Sequence, residues 1–138
     1  MLGATLAAGC ASSVSVEPVR NPPAACTAVL TALPDRLDGH DGREVSPLGA
    51  ARAYGNPPIV VRCGVDRPPG YDATQECFQI DDVGWYTETA QGGTIFTSVW
   101  ARPRVEVRVP SGYTPTSDPV VDATRAVEGR LAHPGCPS

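Results

Sequence analysis

Hydrophobic and polar positions alternate most cleanly late in the chain, where Val105, Val107 and Val109 are separated by Glu106 and Arg108. A period of two places the valines on one face, so a strand with one face in a core and one in water is expected. Ile59-Val60-Val61-Arg62-Cys63, led in by Pro57-Pro58, is rich in β-branched residues and reads as a largely buried strand. Cys77 to Ile80 and Val83 to Thr89 read as two more strands with Asp81-Asp82 as their turn. Gln91-Gly92-Gly93 then turns the chain into a strand from Thr94 to Trp100. Helical spacing appears at both ends. Cys26, Val29, Leu30 and Leu33 form one stripe after the cap-and-proline signal Asn21-Pro22, and Pro34 stops it. Val120, Thr124, Val127 and Leu131 repeat the pattern after Asp118-Pro119, and Pro134-Gly135 ends it. Between these, residues 35–47 are polar and glycine-dotted and read as a loop, and residues 48–54 as a short helical turn. The expected fold is α+β: an antiparallel sheet of four or five strands, with an N-terminal and a C-terminal helix on one face.

A chain of 138 residues suits one domain, expected over residues 22–138. A body of this size buries roughly two thirds of its unfolded surface, so it needs no metal or cofactor to fold, and no cofactor is expected. The formal charge is −4, and every cation is arginine. A mildly acidic chain without a basic run argues against nucleic acid as a partner and against a polybasic grip on anionic lipid.

The first ten residues, Met1 to Cys10, are an apolar run closed by Ala8, Gly9 and a cysteine. This is the shape of a lipoprotein signal end, in which the Cys10 thiol takes a diacylglyceryl group and becomes the new N-terminus. The run is short for a full signal peptide and has no basic leader, so the chain is expected to begin inside one. Residues 11–21 read as a polar spacer. No stretch approaches the ~18 apolar residues of a membrane-spanning helix, leaving the lipid as the expected anchor to the outer face of the cell membrane.

Cys26, Cys63, Cys77 and Cys136 are widely spaced, without a C-x-x-C pair. They read as two structural bridges, which persist outside the cytosol. Cys63 and Cys77 flank one loop, and pairing them would restrict the unfolded chain by about 3 kcal/mol. Cys26 with Cys136 would tie the two ends together at about 4.7 kcal/mol, provided the helices are neighbours. Three pairings are open, and the spacing does not choose among them.

The segment Tyr54-Gly55-Asn56-Pro57-Pro58-Ile59-Val60-Val61-Arg62-Cys63-Gly64-Val65 resembles the core of the actinobacterial domain-of-unknown-function 3515 family. Leu33-Pro34, Val83-Gly84-Trp85 and the run from Val105 to Pro110 match it as well. The resemblance spans about Cys26 to Val127. It implies an exported or lipid-anchored protein without an assigned activity, and it carries no catalytic residue with it. Tyr54 stands where the family pattern has tryptophan, and Trp100-Ala101-Arg102-Pro103 where it has a glycine-arginine turn.

Motif-borne chemistry is sparse. There is no G-x-S-x-G elbow and no H-E-x-x-H pair. His40 lies among Asp35, Asp38, Asp41 and Glu44, but their order does not follow a calcium loop, so no metal is expected. His133 follows the last helix and reads as a charge at its C-terminus. Arg62, inside an apolar strand, needs a salt-bridge partner or an open face, and is a candidate anion contact. Trp85 shares parity with Val83 and reads as core, whereas Trp100, beside Arg102 at a strand end, reads as the more exposed aromatic. Arg62, Trp100 and Arg102 are therefore the candidate ligand contacts. The expected function is a non-catalytic, lipid-anchored envelope module that binds another envelope protein or a wall component. The alternative is a small extracellular hydrolase or transferase whose site, around His40 or a carboxylate, assembles only in the fold.

Overall fold

The valines of 105–109 do face one core, with Glu106 and Arg108 between them on the open face, at the centre of a sheet wider than the pattern implied. The structure is a computed structural model that describes residues 12–137. In chain order the elements are β1 (Val14–Ser15), α1 (Ala25–Ala32), β2 (Arg36–Leu37), β3 (His40–Arg43), β4 (Val45–Ser46) and β5 (Arg52–Tyr54). There follow β6 (Ile59–Cys63), β7 (Phe78–Ile80), β8 (Val83–Ala90), β9 (Gly93–Thr97), β10 (Val105–Pro110) and α2 (Ser117–Val127), then a 3-10 turn at Glu128–Arg130. Eight strands form one antiparallel sheet in the order β2-β3-β5-β6-β10-β9-β8-β7, and β1 pairs in parallel with β4 beside it.

The four or five strands expected thus become eight in the main sheet. The additions come from residues 35–54, read above as a loop and a helical turn. His40 to Arg43 carries no apolar residue and is nowhere fully buried. It is a strand because β2 and β5 pair with it on both sides, not because it has a buried face. Asn21 does not cap α1: it has φ +47°, Pro22 and Pro23 continue the non-helical chain, and the helix begins at Ala25. At the other end of α1, Arg52 from β5 donates from Nη1 to the carbonyls of Leu30 (2.9 Å) and Leu33 (3.2 Å) and from Nη2 to that of Pro34 (2.9 Å). A cation placed on the orphan carbonyls of a helix end satisfies both their hydrogen bonding and the helix dipole.

Both helices lie on one face. Cys26, Val29 and Leu33 from α1, with Val120, Ala123 and Val127 from α2, close over Ile59, Val61, Val83, Trp85, Phe96, Val105 and Val107. Trp85 is fully buried, as its parity implied, and its Nε1 donates to Thr124 Oγ1 (3.2 Å), which itself donates to the Val120 carbonyl. The opposite face is partly covered by the segment read as a spacer. Val14 and Val16 pack there with Val45, Ala51, Ala53 and Val60 in a second, smaller core. Residues 12–17 are therefore a strap laid across the sheet.

The bridges are Cys26–Cys63 and Cys77–Cys136, with Cα–Cα separations of 5.6 and 5.8 Å. The Cys63–Cys77 and Cys26–Cys136 pairing weighed above does not form. Cys63 ends β6 and Cys77 precedes β7, and β10, β9 and β8 lie between those strands. Four steps of ~4.8 Å set them ~19 Å apart, whereas a disulfide spans less than ~7 Å between Cα atoms.

Candidate functional site

Across the open face runs a row of side chains fixed by register: Arg62 opposite Glu106, Glu106 opposite Thr97, Thr97 opposite Tyr86. One step along the sheet, Val60, Arg108, Ile95 and Glu88 form the next row. Arg62 donates to Glu106 from Nε (2.9 Å to Oε1) and Nη2 (3.1 Å to Oε2), the two-pronged geometry in which guanidinium and carboxylate match best. Arg108 adds a third donor, Nε to Oε1 at 2.9 Å. Side-chain exposure is 14% for Arg62, 8% for Glu106 and 52% for Arg108, so the first pair is the buried one. Burial works to raise the Glu106 pKa. The N–H groups of Arg62 and Arg108, and their charges, outweigh it and hold the carboxyl below its ordinary range.

Arg62 Nη1 donates to the Glu17 carbonyl (2.9 Å), which ties the strap to this floor. Between the strap and the segment after β6 lies a cleft of about 440 Å³. Its walls are Glu17 to Arg20 on one side and Val65 to Pro69 on the other; Arg62, Glu88, Ile95, Glu106 and Arg108 form its floor. Beside the Arg67 wall, Tyr71 meets Tyr86 and Trp100 edge-on, with ring centroids 5.4 and 5.7 Å away, and the Arg67 guanidinium lies 5.7 Å from the Tyr71 ring centre.

Of the candidate ligand contacts, Arg62 is in the cleft floor with its donors engaged by Glu106 and Glu17. Trp100 is half-buried against Tyr71, and Arg102 is exposed beside it, donating only to the Ala101 carbonyl. Cys10 lies outside the described residues. The cleft lining contains no histidine, serine or cysteine. His40 packs edge-on against Tyr113 at 4.8 Å, and His133 is exposed. Among the described residues no three His, Cys, Asp or Glu side chains are placed to hold a metal ion, and no helix is long and apolar enough to cross a membrane.

Glu106, Arg108, Arg67 and the strap were not singled out from the sequence. For the strap a signal existed: Ser13-Val14-Ser15-Val16 alternates with period two, over too short a run to stand out. For Arg67 there was none, because residues 64–76 are an irregular segment placed by the fold.

The Arg62-Cys63-Gly64 segment has a structural reason at each position. Arg62 holds Glu106, Cys63 is bridged to Cys26, and Gly64 has φ +87° where an added Cβ would lie 2.8 Å from Pro23 Cδ. Fold and site together define a disulfide-braced α+β domain with an ion-floored cleft on the open face of its sheet, and the two formed bridges indicate an oxidising, extracytoplasmic setting. Residues 3–134 match the family described as "Protein of unknown function (DUF3515)", and the chain belongs to that family. No curated protein and no solved structure matches it.

Proposed function

We propose that this protein is a non-catalytic module of an actinobacterial cell envelope, held on the outer face of the membrane by lipid on Cys10. It binds an envelope protein or a wall component through the open-face cleft. The observation that carries this reading is the state of the cleft floor. Its central carboxylate accepts three N–H groups from two arginines and is kept ionised, which suits fixed recognition and not proton transfer. No histidine, serine, threonine or cysteine lines the same space. The two bridges support an exported address, and the apolar run ending at Cys10 supports the anchor.

The test is crosslinking in the protein's own cells, purification from membranes, and mass spectrometry of the N-terminus and of the crosslinked peptides. A diacylglyceryl group on Cys10 and crosslinks from residues 17–20 or 65–69 to an envelope constituent are expected. A chain that retains Met1 without acylation, and carries free thiols at the four bridge positions, refutes the address and the anchor together.

A further inference from the structure

The arginines are not distributed evenly in their pairing. Arg36, Arg62, Arg108 and Arg125 sit within ion-pair distance of carboxylates. Arg43 and Arg52 are engaged by backbone carbonyls. Among the described residues, Arg20, Arg67, Arg102, Arg104 and Arg130 have no carboxylate within 4.0 Å, although Arg102 Nη1 donates to the Ala101 carbonyl (3.0 Å) and Arg104 Nε to that of Val99 (3.3 Å); the first four lie in or beside the cleft. Arg20 and Arg67 line it. Arg104 immediately precedes β10 beside the Gly64 wall, its carbonyl accepting from Gly64 N (2.7 Å), and Arg102 precedes it by two residues. Arg104 is pushed below its ordinary pKa first by burial and then by the charges of Arg102 and Arg67, with Asp66 opposing. In a chain of net charge −4, neighbouring guanidinium groups without carboxylate partners repel one another and are open to an external anion.

We infer that the cleft and its margin bind an acidic glycan: Arg20, Arg67, Arg102 and Arg104 take its oxyanions, and Trp100 and Tyr71 take its sugar faces. Planar guanidinium forks match carboxylate and phosphate oxygens. Each half-buried ring offers a sugar an apolar face with a polar rim, the two rings standing nearly perpendicular. Glu17, Asp66 and Glu88 line the same cleft. Ionised carboxylates only accept hydrogen bonds, so they suit sugar hydroxyls and repel a densely charged strand such as polyphosphate or single-stranded nucleic acid. The mixture of unpaired arginines with accepting carboxylates therefore selects a polymer whose charges are spaced by hydroxyl-bearing rings. This inference rests on the cleft being the binding surface proposed above, and not on the anchor.

The experiment is titration calorimetry of the full chain, bridges intact, against an oligogalacturonate, its methyl ester, polyphosphate and oligo-dT. The acidic oligosaccharide is expected to bind, the ester to bind at least about tenfold more weakly, and affinity to fall as salt rises. Arg67→Ser with Arg102→Ser, both exposed positions, is expected to weaken binding at least about tenfold while Tm stays level or rises, because like charges have been removed. Equal binding of acid and ester overturns the inference. So does tighter binding of polyphosphate or oligo-dT, unchanged binding by the double variant, a lowered Tm in that variant, or binding of none of the four probes. Loss of Cys10 acylation with uronate binding intact would remove the anchored reading and leave this site standing.

Discussion

Glu106 offers the sharpest test of the open face. Glu106→Gln keeps shape and one acceptor oxygen but removes the charge that Arg62 is buried against. Removing one member of a buried ion pair costs about 3–5 kcal/mol when nothing replaces it. Here the amide oxygen remains, and Arg62 still donates to the Glu17 carbonyl, so a loss of about 2–3 kcal/mol is expected. Arg108 is half exposed, and Arg108→Ala is expected to cost no more than about 1 kcal/mol. Replacing the buried pair together, as Arg62→Met/Glu106→Leu, leaves no isolated charge and is expected within about 1 kcal/mol of the parent. Urea unfolding at pH 7 with bridges intact reads all three, and an unchanged m-value shows that the unfolded state is comparable. The pH dependence has a fixed sign. A carboxyl whose folded pKa is depressed stabilises the fold above its unfolded pKa, about 4.3, and that contribution is lost as pH falls through the folded value. The parent is expected to lose stability over that acid range, and Glu106→Gln to lack that part of the slope. A Glu106→Gln variant no weaker than Arg108→Ala, or a pair replacement as costly as the single change, would refute the buried network.

Peptide mapping without reduction is expected to return Cys26 with Cys63 and Cys77 with Cys136; any other pairing contradicts the strand order. The two loops, with separations of 37 and 59, do not overlap, so Cys26→Ala/Cys63→Ala and Cys77→Ala/Cys136→Ala should cost about 3.8 and about 4.3 kcal/mol, nearly additively, by urea unfolding. At Gly84 an added Cβ would lie 2.6 Å from Cys77 Sγ and 3.0 Å from Cys136 N, so Gly84→Ala is expected to cost about 1–3 kcal/mol, and less once that bridge is removed. Arg52→Met removes three N–H donors from the end of α1, but the Leu30 and Pro34 carbonyls still accept from Leu33 N and Tyr54 OH, so it is expected to lower stability by about 1–2 kcal/mol and to speed hydrogen exchange first in that helix.

What could be read from the residues was whatever had a buried face. The valines of β10, the β-branched run of β6, the β7–β8 turn and the stripes of both helices all announce themselves through periodicity, because burial selects residue type at every second or every third and fourth place. The strands of residues 36–54 do not. β3 has no buried position, the buried positions of β5 (Ala53 and Tyr54) are adjacent and do not alternate, and pairing partners from elsewhere in the chain make them strands. Trp100 is the more exposed of the two tryptophans, as its position at a strand end implied, but nothing in the residues around it indicates that Tyr71, from an irregular segment nearly thirty residues earlier, lies against it. The cleft was illegible for the same reason. Its floor comes from four strands, and its walls from two stretches that carry no period at all. Arg62 alone stood out, because a charge inside an apolar run always needs a partner, although the run could not say that Glu106 was the partner.

The strap leads toward Cys10 and is also one bank of the cleft. Ser12, two residues from that cysteine, is gripped by Arg43 Nη2 (3.0 Å), and five residues later Glu17 is gripped by Arg62. If Cys10 carries the lipid proposed above, mooring and recognition share one short length of chain. A shortened version that starts at α1 would lose that bank of the cleft. A load on the N-terminus would reach the cleft floor through Glu17 before it reached either helix.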